Sequence, residues 1–197
     1  MYGVPLDRLR RFTVGVVLAA TALTGCAGTT GTTGKEQAAA PEASAAPVGQ
    51  VDDRTQPPWP LPSDVAGRVA AAGLDLGPMG TAEHYHPHLR IVIDGHDVPV
   101  PGGIGVDPST GAMSALHTHE PDGTLHIEAD TVGETFTLGQ LFTQWGIKLT
   151  STQIGGVEAK DGQQLTVLSN GSPVDRNPAD LRLEPDQQVV LQLGGSR

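Results

Sequence analysis

All seven histidines of the chain fall between positions 84 and 126, and their spacing is that of β-strands. His84, His86 and His88 occupy alternate positions, His117 and His119 repeat the pattern, and His126 is followed two residues on by Glu128. Alternate residues of an extended strand project to one face, so each group would present its imidazoles together. Two imidazoles at i and i+2, joined by a third from a neighbouring strand, can converge on one metal ion. Imidazoles with carboxylates (Glu128, and Glu83 or Glu120 nearby) and no thiolate suit Zn(II), Cu(II) or Ni(II). Zinc or copper is expected, with nothing in the sequence to separate them. Met113, four residues before His117, reads as a packing residue.

Register decides whether the groups meet. Glu120-Pro121-Asp122-Gly123 is a turn sequence between the second and third groups. A four-residue loop pairs His119 with His126, and a two-residue loop pairs His117 with His126; both keep the cluster on one face. A three-residue loop with a bulge sets His126 opposite Thr118 and breaks the site. The expected ligands are His86, His88, His117, His119, His126 and Glu128, with His84 a further candidate and His96 a surface residue. Two other readings of the cluster stay open. One is a buried polar network with water, and the other is a proton-responsive surface charging near pH 6.5.

The elements that must carry these residues read mostly as strands. Alternation from Tyr85 to Ile93 leads into Asp94-Gly95, a hairpin signal, and then His96–Val100. Further strands are expected at about 114–119, 125–130, 164–169 and 187–193, with Asn170-Gly171 a second strong turn signal. Thr137 and Gln140 form a capping box for a helix presenting Leu138, Leu141, Phe142 and Trp145, ended by Gly146. Ser63 would cap a short helix through Ala72, stopped by Gly73. Gly102-Gly103-Ile104-Gly105 reads as a turn. This pattern predicts an α+β fold: mainly antiparallel β-sheet, one or two short helices, and a β-grasp-like arrangement over 114–193.

Composition limits the partners. The chain has 197 residues, 12 Lys and Arg against 22 Asp and Glu, and a net charge of −10. Nucleic acid is excluded as a partner, because phosphate binding needs a basic face. A single cysteine excludes an internal disulfide framework and any multi-thiolate metal site. Arg8, Arg10 and Arg11 precede an uncharged apolar run from Phe12 to Leu23, the length of a signal-peptide core rather than a membrane span. The run ends in Leu23-Thr24-Gly25-Cys26, and here the chain resembles bacterial lipoproteins. The resemblance implies cleavage before Cys26, acylation of that cysteine and anchoring at the extracytoplasmic face of the cell membrane. Removing Asp7 with the three arginines takes the charge to −12. The expected organisation is a signal peptide over 1–25, an acylated cysteine and Gly/Thr/Ala/Pro tether over 26–62, and a His-rich domain over 63–197. Trp59, inside the proline run, would either dock on the domain or serve as a proline-recognition ligand.

Residues 83–146, with His-Tyr-His-Pro-His-Leu, His117-Thr118-His119, Gly123 to Glu128 and Phe136 to Gln140, resemble an uncharacterised family of exported or membrane-anchored prokaryotic proteins. The resemblance supports one histidine constellation and implies no activity. Three function classes follow. The first is a membrane-tethered metal-binding protein for sequestration, delivery or sensing. The second is a metal-dependent hydrolase or hydratase with Glu128 as base. The third is a lipoprotein scaffold. The first is preferred over the second because the chain offers no nucleophile elbow, cysteine nucleophile or zincin helix.

Overall fold

The computed structural model describes residues 55–161, 163 and 165–194. The basic start, the lipobox with Cys26 and most of the expected tether lie outside the described residues. The element order is α1 (Val65–Ala71), β1 (Leu76–Gly77), β2 (Glu83–Tyr85), β3 (His88–Ile93) and β4 (His96–Val98). Then come β5 (Met113–Ser114), β6 (Leu116–His117), β7 (His126–Ala129) and α2 (Leu138–Trp145). Three short strands follow: β8 (Leu149–Thr150), β9 (Gln153–Ile154) and β10 (Val157–Glu158). The chain closes with β11 (Thr166–Ser169), β12 (Ser172–Pro173), a 3-10 turn at Pro178–Asp180 and β13 (Gln188–Leu193).

Two turns organise the main sheet. Asp94 and Gly95 have φ of 49° and 79°, and Asn170 and Gly171 have 51° and 78°. Positive φ at both central residues matches the right-handed twist of a hairpin, which explains why each turn ends in glycine. The turns join β3 to β4, as the sequence predicts, and β11 to β12, where the sequence predicts the turn but not the second strand. The five-stranded order is β12-β11-β13-β3-β4, antiparallel except that β13 runs parallel to β3. Two hairpins flanking the central strand β13, with a helix between them in sequence, is a β-grasp-like arrangement within an α+β fold. It begins at β3 rather than at residue 114, because the 88–98 hairpin supplies two of its five strands.

The core forms where this sheet meets α2. Leu89, Ile91, Ile93, Val189, Leu191 and Leu193 alternate inward from the parallel pair, and all are buried. From the helix come Leu138, Leu141, Phe142 and Trp145, one apolar stripe at helical spacing. Thr137 accepts from the Gln140 N–H at 3.3 Å while Gln140 Oε1 accepts from the Thr137 N–H at 2.9 Å, so the expected capping box is present. Gly146 ends the helix in the left-handed region at φ 79°. The cap of α1 sits one residue later than expected: Asp64, not Ser63, accepts from the Gly67 N–H at 2.9 Å.

The folded unit also starts earlier than residue 63. Trp59 is buried and meets Trp145 edge-on, with ring centroids 5.7 Å apart. Its indole N–H donates to the Thr55 carbonyl at 2.9 Å, and the same carbonyl accepts from the Gly156 N–H at 2.7 Å. Trp59 is therefore part of the core, the docked alternative of the two offered by its proline-rich setting. Among the described residues no helix is long and apolar enough to cross a membrane.

Candidate metal centre

His84, His117 and His126 are carried by a second sheet, of order β2-β7-β6, with His86 and His119 just beyond its strand ends; its strands come from just before β3 and from the long connection between β4 and α2. Period-2 alternation divides its faces. Tyr85, Leu116 and Ile127 stand in register, with Leu116 and Ile127 completely buried against the core. On the opposite face His84 pairs with Glu128, and His117 pairs with His126. His117 opposite His126 is the pairing foreseen for a two-residue loop. The ladder stops there, and residues 118–125 form a longer connection of even length, so parity and face are kept.

The loop at Pro101–Gly105 holds this face in place. Thr118 points inward, accepts from the Ile104 N–H at 3.0 Å and donates to the Pro101 carbonyl at 2.8 Å. Its own N–H reaches the Ile104 carbonyl at 3.1 Å, and the Gly103 N–H reaches the Thr118 carbonyl at 2.7 Å. A side chain at Gly102 would run into the His119 carbonyl. The glycine-rich turn therefore clamps the residue between His117 and His119, which places both imidazoles on the opposite face from Thr118.

Five imidazoles meet on this face in two groups that share a member. His84, His86 and His126 form one; His117, His119 and His126 form the other, with the ligand atoms of each within 4.8 Å of one another. Ring centroids are 4.6 Å apart for His84–His86, His86–His126, His117–His119 and His119–His126. The Nε2 atoms of His84 and His86 lie 3.0 Å apart, as do those of His117 and His119. Two nitrogens on a tetrahedral zinc, each about 2.0–2.1 Å from the ion, stand about 3.3 Å apart. Each pair is thus within a few tenths of an ångström of ligating separation.

Hydrogen bonding fixes the tautomers in a way that suits a metal. The Nδ1–H of His117 donates to the Ser114 carbonyl at 2.8 Å, leaving Nε2 as the lone-pair nitrogen. A ligating histidine oriented through its other nitrogen by a carbonyl is the usual arrangement in metal sites. With no cation present, His119 must donate its Nε2–H to that lone pair. A bound ion would take the place of this proton.

Burial also favours neutral imidazoles. It pushes His117 down from 6.5 to about 4, with the His119 and His126 rings adding to the effect and the Ser114 carbonyl and Glu128 opposing it. His126 is lowered for the same reason, reinforced by His119 and His86. A surface whose imidazoles all charge together near pH 6.5 is not what these two positions provide. Glu128 is half-buried beside the first group, its Oε1 3.5 Å from His84 Nε2.

His88 does not join either group. Pro87 has no N–H to extend the β2 ladder, and the chain passes there from the histidine sheet into the main sheet. His88 then pairs with Gln188, and its Nε2–H donates to the Asp122 carbonyl at 2.8 Å. The expectation of three histidines on one face before residue 90 is thus corrected to two, and His84 takes the place given to His88. His88 instead pins the 118–125 connection, along with Leu89 N–H to Gly123 O and Leu125 N–H to Pro87 O, both 2.8 Å. His96 is exposed at the hairpin end, as expected. Arg90 pairs with Asp97 at 2.7 Å. Glu128, expected as a ligand, belongs to neither group and stands only beside the first; Glu83 and Glu120 are in neither as well.

Sequence reasoning missed the Ser114 carbonyl and the clamp on Thr118. A backbone acceptor leaves no trace in residue type, whereas the Gly102, Gly103 and Gly105 spacing was a signal that read only as a turn. It also missed a cleft of about 510 Å³ beside His84 and His86, completed by Glu83, Glu134, Arg182 and Glu184. Arg182 and Glu184 come from the connection before β13, far away in sequence.

The fold and the site define an α+β protein with a β-grasp-like sheet and a second sheet whose histidine face could hold a metal ion. No protein-family model matches the chain, and neither a curated protein nor a solved structure does.

Proposed function

We propose that this chain is a lipid-anchored, extracytoplasmic protein that binds zinc or copper through its histidine face, for sequestration, delivery or sensing. The observation that carries the reading is the convergence of five imidazoles into two three-nitrogen groups on one sheet face. The donor set supports a borderline divalent ion, since both groups are made of imidazole nitrogens alone, with no sulfur. The anchor rests on Leu23-Thr24-Gly25-Cys26 behind a basic and apolar leader. Elemental analysis of the full chain purified from cells, followed by titration with zinc or copper at about pH 7.4 and 5.5, tests the reading. Near-stoichiometric metal released at the lower pH supports it. A chain that takes up neither metal under any loading refutes it. Labelling with a fatty-acid analogue, lost in Cys26→Ala, tests the anchor separately.

The cleft favours a second reading, a metal-dependent hydrolase. Its walls include His84 and His86 of the exposed group, so a substrate could lie against a metal held there. Glu128, beside His84, is placed to accept a proton from a water bound at that group. Metal-dependent hydrolysis of an ester panel, abolished in Glu128→Gln with bound metal unchanged, would support it; no turnover with metal bound leaves the binding role.

A further inference from the structure

The two histidine groups differ in a way that suggests a division of labour. In the outer group His84 and His86 are exposed, and both line the cleft. Glu83, Glu134, Glu184 and Asp186 face the same cleft against the single cation Arg182, which is itself paired with Glu184 at 2.9 Å. The inner group is headed by His117, which has no solvent-accessible surface, and it holds the one ligand whose ring is oriented through a backbone carbonyl. His126 stands between the two. Its ring packs edge-on against His86 at 4.6 Å and is stacked against His117 at 5.4 Å, with planes 18° apart.

We infer that the two groups are successive stations for a single divalent cation, captured at His84, His86 and His126 and retained at His117, His119 and His126. The inference rests on the metal-binding reading. A neutral imidazole offers one lone pair, so His126 can complete the three-nitrogen set of only one group at a time. An ion in the inner group reduces the outer one to two imidazoles, and the reverse holds too. The groups therefore exclude each other as full sites, and His126 remains within reach of the ion in both. The acidic cleft raises the local concentration of cations at the outer station. Burial and the Ser114 hydrogen bond pre-orient the inner station, so the ion rests there.

The test uses the full chain and zinc chloride, with a chromophoric chelator as competitor and stopped-flow mixing for uptake. One tightly held zinc per chain is expected, a second binding at least about 100-fold more weakly. Two zinc ions held equally tightly would overturn the inference. The double variant His84→Ala/His86→Ala, altered only at exposed positions, should keep one tight zinc and take it up about tenfold more slowly or worse. An unchanged uptake rate, or loss of tight binding in that variant, would overturn it. His119→Ala, chosen because His119 is exposed and its loss spares the buried His117, should load quickly but hold zinc at least about 100-fold less tightly. Full-strength retention by that variant would also overturn it. A wild-type chain that binds no zinc refutes the metal centre itself, which is distinct from a chain that binds zinc with kinetics indifferent to the outer pair.

Discussion

His117 gives the histidine face an acid sensitivity that can be worked out before any metal is added. In the unfolded chain its imidazole takes up a proton near pH 6.5; in the fold, burial delays this until about 4. Because the folded value is depressed, its contribution to stability is complete above pH 6.5. It is lost as pH falls towards 4, the unfolded state binding the proton that the folded state refuses. Each tenfold difference in proton affinity corresponds to about 1.4 kcal/mol, so lowering the pH from 7 to 5 should remove at most about 2 kcal/mol through this group. The assay is urea unfolding of the metal-free chain in EDTA at several pH values, for wild type and for His117→Gln. Glutamine does not titrate, while its amide can still donate to the Ser114 carbonyl. His126 is lowered in the same direction and is present in both chains, so the difference reads His117 together with its coupling to His126. The wild type should lose stability more steeply than the variant between pH 6.5 and 4. Parallel profiles, or a wild type that gains on acidification, would refute the argument that His117 is held neutral by burial.

Further outcomes follow from the same geometry. Thr118→Val leaves the buried Ile104 N–H without its acceptor, which should cost about 1–3 kcal/mol. It should also weaken zinc binding about tenfold, an effect on affinity that tells a positioning role from a purely structural one. Trp59→Ala empties a core site against Trp145 and should cost about 3–5 kcal/mol in chemical denaturation; a loss under about 1 kcal/mol would mean that the proline-rich segment does not belong to the folded unit. Hydrogen bonds from Thr110 and Ser109 hold the Asp107 carboxyl down at about 2, so its contribution is present above the ordinary carboxylate range and disappears as pH falls through 2. Asp107→Ala should therefore be less stable than wild type at pH 6, with the gap closing between about pH 4 and 2.

Elements set by neighbouring residues were legible in the sequence. The capping box at Thr137, the left-handed stop at Gly146 and the two hairpin turns each depend on side chains or φ preferences within four positions. The face of the 117–128 hairpin was legible too, because parity alone decides it and the observed pairing is one of those foreseen. What was not legible depends on distant chain. An alternating pattern through His84–His88 looks like one strand, and nothing local says that Pro87 hands the chain from one sheet to another. The parallel pairing of β3 with β13 leaves no mark in either strand beyond apolar alternation, so the β-grasp-like unit was drawn from residue 114 instead of 88. Asp64 takes the cap expected of Ser63, one position further on. Trp59 sat in a composition typical of linkers, and only its packing on Trp145 draws it into the core.

The pairing of β3 with β13 has a consequence for the order in which the molecule is assembled. Each residue of β3 finds its partner 100 positions downstream, from His88 with Gln188 to Ile93 with Leu193. A chain growing from its N-terminus completes all three strands of the histidine sheet by Ala129, while β11, β12 and β13 of the main sheet are still to come. Closing so long a loop is slow and comes late. The histidine face can therefore be paired while the main sheet is still open. A chain cut short before residue 188 would keep every histidine and lose the centre of its core.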